Sequence, residues 1–80
     1  MIKVLFFATL KDRAGTRETE IDVPGGTTIE QLKALISEKY PSIRESLGHC
    51  LTAVNHHYQT DDYEIPAGAE VALFPPVSGG

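Results

Sequence analysis

Residues 70–80 read "EVALFPPVSGG", and the fold turns on what stands either side of the two prolines. "EVALF" (70–74) is a short apolar run of strand length, and it reads as a central strand covered on both faces. Pro75 and Pro76 have no N–H to donate, so neither can extend a central ladder. Their rings fix φ, and the chain leaves the sheet as a stiff, extended stem that runs through Val77 and Ser78 to Gly79 and Gly80. The default reading of two terminal glycines is a frayed end. Set on a stiff stem, however, a tip without side chains suits entry into a narrow channel of another protein, presenting the α-carboxylate of Gly80 there. A carboxylate is a poor electrophile until it is activated, for example as an acyl-adenylate. A sulfur or nitrogen nucleophile can then displace AMP.

A central last strand needs neighbours, and the start of the chain supplies the first. "IKVLFFA" (2–8) is rich in β-branched and aromatic residues. Alternation puts Ile2, Val4, Phe6 and Ala8 on one face and Lys3, Leu5 and Phe7 on the other, so both faces carry apolar groups. A loop is expected around "KDRAG" (11–15). "TRETEIDV" (16–23) then reads as a one-sided strand, with Thr19, Ile21 and Val23 inward and Glu18, Glu20 and Asp22 in solvent. "PGG" (24–26) is a turn, without the lysine or glycine spacing of a phosphate-binding loop. "TTIEQLKALISEKYP" (27–41) carries the clearest helix signal. Thr27 and Glu30 have capping-box spacing, Ile29, Leu32, Leu35 and Ile36 form one apolar stripe, and Pro41 ends it. "LTAVNHHYQTDDYEI" (51–65) suggests two short strands joined between Asn55 and Asp62, and "PAGAE" (66–70) is another turn. Strand, strand, helix, short strands and a last strand returning to the middle describe an α+β, ubiquitin-like β-grasp, a mixed sheet packed on one main helix. Residues 1–80 read as a single domain, with 75–80 as its projecting tail.

Composition narrows the partners. The chain is 41% apolar and 22% charged over 80 residues, an ordinary globular balance. A domain this small buries only roughly 60% of the surface its unfolded chain exposes, so any function must use its edges and faces. A formal charge of −4 argues against nucleic acid, which needs clustered Lys and Arg, and favours a basic partner surface. One cysteine cannot form an internal disulfide, which fits a reducing cytoplasm. The start of the chain lacks the pattern of a secretory leader, and no stretch is long enough to cross a bilayer, so neither membrane nor secretion is expected.

Other chemistry-bearing residues read as structural. His49, Cys50, His56 and His57 have no recognisable metal-ligand spacing, and no metal is expected. Cys50 beside His49 is no dyad, because adjacent side chains on extended backbone diverge. His56 and His57 are expected on opposite faces of a strand. Phe7 and Phe74 are either core rings or partner-facing anchors; the parity that Phe7 shares with Lys3 favours an outward position.

"GAEVALFPPVSGG" (68–80), "KVLFFA" (3–8) and "AVN" (53–55) together resemble the sulfur-carrier small subunits of molybdopterin synthase, and the resemblance runs the length of the chain. It implies that an ATP-dependent activating enzyme adenylates Gly80 and that sulfur transfer converts the carboxylate to a thiocarboxylate. Gly79, Ser78 and Val77 then enter the large subunit, where sulfur passes to cyclic pyranopterin monophosphate to build the dithiolene of molybdopterin. Phe74, Pro75 and Pro76 form the docking surface, with Phe7 as an apolar neighbour of the partner. The large subunit supplies the catalytic groups, ATP stays with the activating enzyme, no cofactor is held stably, and two large and two small subunits form a heterotetramer. The same chemistry serves two alternatives, a carrier for the thiazole of thiamine and a ubiquitin-like modifier of lysines. A plain binding module is a third. At Gly68-Ala69-Glu70 the chain departs from the family, which often has aspartate between glycine and glutamate. That change bears on the turn, not on the tail.

Overall fold

Alternation along the first strand decides where the core lies. In β1 (Ile2–Phe6), Ile2, Val4 and Phe6 are buried and Lys3 is exposed. The computed structural model describes residues 1–76. β1 pairs antiparallel with β2 (Glu18–Ile21), Val4 opposite Thr19, and parallel with β5 (Glu70–Phe74), Val4 opposite Val71 and Phe6 opposite Leu73. On its other side β5 runs antiparallel to β3 (Leu51–Val54), which pairs with the two-residue β4 (His57–Tyr58). The sheet order is β2-β1-β5-β3-β4, so the last strand is central, as its sequence implies. The mixed sheet and its packed helix are those of a β-grasp.

The expectation that β5 is covered on both faces is corrected. Val71 and Leu73 are fully buried, while Ala72 and Phe74, on the opposite side, are only partly covered. One face of the sheet joins the core with Ile29, Leu32 and Ile36 of α2 (Ile29–Lys39). Leu35, placed in the stripe by spacing, is 38% exposed. The three inward residues occupy an arc of about 60° at 3.6 residues per turn, and Leu35 lies about 60° beyond it. Ile43 in the 3-10 turn Pro41–Ile43 and Leu47 in α3 (Arg44–Leu47) join the same core, as do Leu10 and Ile65.

Two local expectations also change. The loop foreseen around 11–15 belongs to a helix, α1 (Ala8–Ala14). Only Leu10 of it is buried, so no apolar period marks it, but Gly15 at φ 78° closes its end as a left-handed cap. The capping box belongs to Thr28 and Gln31, not Thr27 and Glu30: Gln31 N donates to Thr28 Oγ1 at 3.2 Å, and Thr28 N donates to Gln31 Oε1 at 3.0 Å. A bridge between Thr28 and Glu64 holds Thr28 extended, and the helix starts one residue later than expected. Thr27 Oγ1 donates instead to Pro24 O in the preceding turn.

Loss of a threonine cap costs about 1 kcal/mol. Thr28→Ala is therefore expected to lower unfolding stability in urea by about that amount, and Thr27→Ala by clearly less. Equal losses would place the cap wrongly.

Candidate functional site

β1 ends at Phe6 because the next turn of chain is unusual. Ala8 sits at φ 52°, a left-handed conformation costing an L-residue roughly 1–2 kcal/mol. It reverses the chain into α1 and leaves Phe7 extended, with ψ 151°. Phe7 N still donates to Leu73 O at 3.2 Å, one step beyond the end of β1. Its side chain therefore stays on the sheet face opposite the core, where it stacks on Phe74 at 4.6 Å between centroids and 14° between planes. Phe7 is 40% exposed and Phe74 half-buried. The two rings, left open above as core or anchors, lie outside the core on the open face of the sheet.

The register brings further apolar groups to them. Leu51 lies opposite Phe74, Ala53 opposite Ala72, Tyr58 opposite Ala53, and Leu5 opposite Ala72. Tyr58 and Leu51 are 69% and 43% exposed, and the Tyr58 ring lies 6.2 Å from that of Phe74. A shallow hollow of about 240 Å³ runs between Leu5, Phe7, Tyr58 and Phe74. Exposed apolar surface of this kind marks an interaction face more often than a solvated one. Sequence reading missed Tyr58 and Leu51. The signal was the turn: Asn55 and His56 both have positive φ (49° and 73°), the geometry of a two-residue hairpin, which fixes Tyr58 opposite Ala53. Asn55 is held there by Glu70 N, which donates to its Oδ1 at 3.0 Å.

The stem leaves from this face. Pro75 is half-buried and Pro76 exposed, and on their far side a groove is lined by Thr9, Arg13, Ser46 and His49. Arg13 Nη1 donates to Ser46 Oγ at 3.4 Å, joining α1 to α3. Val77, Ser78, Gly79 and Gly80, the predicted insertion segment and reactive end, lie outside the described residues.

The remaining candidates scatter. His56 is in the turn rather than on a strand, which corrects the expectation that it and His57 face opposite sides of one; both are exposed. Among the described residues no three His, Cys, Asp or Glu side chains converge as a metal site, and no helix is long and apolar enough to cross a membrane. Cys50 is buried, with Sγ donating to Leu47 O at 3.4 Å. Burial pushes its thiol above the ordinary value of 9.0, against the opposing pull of the Lys33 ammonium. Ala69, at the family departure, is 3% exposed and part of the core; its carbonyl accepts from Lys3 N.

Fold and site define a class: a ubiquitin-like β-grasp domain whose central strand runs out beside an exposed aromatic face. The chain belongs to the ThiS family, whose model matches residues 4–80. It is 42% identical to the molybdopterin synthase sulfur carrier subunit of Escherichia coli (strain K12), over 100% of both chains. Among solved structures it is similar to small archaeal modifier protein 1 of Haloferax volcanii, with a TM-score of 0.85 and 26% identity over 95% of this chain and 97% of that one. It is also similar to a chain in the complex of subunits 1 and 2 of molybdopterin-converting factor from Helicobacter pylori, with a TM-score of 0.68 and 26% identity over 99% and 97%.

The raised thiol value has a definite sign. The folded state keeps its proton where the unfolded chain has lost it, so Cys50 contributes most below pH 9.0 and loses that contribution as pH climbs toward the folded value. Urea midpoints measured upward from pH 8.5 are expected to fall more steeply for the wild type than for Cys50→Ala. Parallel slopes would contradict the assignment.

Proposed function

We propose that this protein is the sulfur carrier of molybdopterin synthase. The supporting observation is the placement of the Pro75–Pro76 stem: it leaves the central strand directly beside the Phe7–Phe74 stack, in a chain that aligns from end to end with a named sulfur carrier. A protein that covers the aromatic face receives the stem in the same event. In this reading the outer sheet face is the docking surface for a large subunit, as the two-subunit composition of the Helicobacter pylori complex suggests, and the assembly is a heterotetramer.

The chemistry belongs to Gly80. ATP bound by a separate activating enzyme converts its carboxylate to an acyl-adenylate, releasing pyrophosphate. A sulfur nucleophile attacks the acyl carbon, the bond to phosphate oxygen breaks, and AMP leaves a thiocarboxylate. The tail, Val77 to Gly79, carries that sulfur into the large subunit, whose own groups direct its transfer to cyclic pyranopterin monophosphate. This chain contributes the sulfur, the slim arm and the docking face. The cytoplasm is the compartment proposed, where one unpaired thiol stays reduced. Likeness to an archaeal modifier protein supports a second reading, in which a lysine amine rather than sulfur attacks the same adenylate.

Deleting Gly80 is expected to abolish molybdopterin formation in a reconstituted synthase while leaving the thermal midpoint unchanged, because the described core is complete by Leu73 and β5 by Phe74. Product formation by the deletion variant would sink the assignment.

A further inference from the structure

Two cations of this acidic chain flank the Phe7 end of β1. Beside Phe7 lies a groove of about 350 Å³, lined by Leu5, Phe7 and Ala8 and flanked by Lys11 and Arg17. Lys11 comes from α1 and Arg17 from the residue before β2, where its carbonyl accepts from Phe6 N at 2.8 Å and fixes it against β1. Elsewhere Lys33 pairs with Asp61 at 2.8 Å, while Lys39 donates to Thr19 Oγ1 at 2.8 Å and Arg13 to Ser46 Oγ at 3.4 Å. Among the described residues neither Lys11 nor Arg17 has a carboxylate within 4.0 Å. Glu18, in the same groove, is paired with Lys3 at 3.6 Å.

These positions set a condition on whatever covers Phe7. Docking over that ring takes water from the groove that Lys11 and Arg17 share with it, and a cation losing water without a counter-charge is costly. A partner bearing carboxylates there removes the cost and gains charge-assisted hydrogen bonds, which an arginine fork makes in pairs. We propose that the large subunit docks a carboxylate-bearing segment between Lys11 and Arg17, alongside the aromatic anchor. The inference rests on the reading of the outer sheet face as the large-subunit surface. It reverses, for this corner, the expectation that the net charge of −4 sets: the local partner surface is acidic. The pair also gives the carrier a means of choosing its partner, since a basic surface with the same apolar shape is repelled here.

The test is calorimetric titration of the purified large subunit from the same organism with wild-type carrier, Lys11→Glu/Arg17→Glu, Lys11→Gln/Arg17→Gln and Phe7→Ala, at about 50 and about 300 mM salt. Both cations are exposed, so these variants are expected to melt with the wild type, and the melt is recorded for each. Charge reversal is expected to weaken binding by at least about tenfold at low salt and to abolish the weakening that salt causes in the wild type. The glutamine pair is expected to fall between the two. Phe7→Ala is expected to weaken binding while keeping the wild-type salt dependence. Reversal that leaves affinity within about twofold and salt dependence unchanged, while Phe7→Ala weakens binding, overturns this inference and leaves the docking face standing. If neither variant weakens binding, the docking face fails and the inference with it.

Discussion

The structure depends on the parallel pairing of its first and last strands. β1 and β5 meet in the middle of the sheet with Val4 opposite Val71 and Phe6 opposite Leu73, and all four side chains are buried. Parallel neighbours cannot be joined by a tight turn, so the rest of the chain, α2 included, becomes the connection between them. That connection supplies the cover for the core face: Ile29, Leu32 and Ile36 from α2, then Ile43 and Leu47. Because side chains alternate along a strand, the register that buries Leu73 also turns Phe74 outward.

Folding and function are therefore coupled through one strand. The residues of β5 that hold the core together and those that the proposed function assigns to a partner are interleaved, and the next residues after them are the prolines of the stem. A small domain has few places for an interaction surface, and in the proposed function this one uses the back of its own sheet. The strained Ala8 carries the same logic: a residue in a disfavoured backbone region persists where the surrounding structure demands it. Here that residue starts α1 while leaving Phe7 in register against Phe74. Around these rings the charge is unevenly spread, with Glu18 and Glu20 along β2 and Lys11 and Arg17 flanking the groove beside Phe7.

Much of this was legible in the residues. Val71 and Leu73 before a double proline placed the central strand, the alternation of Glu18, Thr19 and Glu20 gave β2 its two faces, and the spacing from Ile29 to Ile36 gave α2. What escaped reading had weak local signals. α1 buries only Leu10, too little for a period, and its clearest mark was Gly15 at its end. Thr27 and Thr28 each had a suitable partner three residues on, and the choice was made by a tertiary bridge to Glu64 that no local pattern contains. Tyr58 joined the aromatic face only through a two-residue turn in which His56 accepts a left-handed conformation. Phe7 and Phe74 were recognisable as candidates, but their contact is a product of register across a parallel pair, and sequence spacing does not report that.

The central claim is that the stem beside this face ends in a carrier of sulfur. Intact mass measurement of the protein isolated from its own cells, with fragmentation to locate any change, tests it most directly. The account predicts one oxygen replaced by sulfur at Gly80. An unmodified terminus, after incubation with ATP, a sulfur source and the activating enzymes of the same cells, would contradict it.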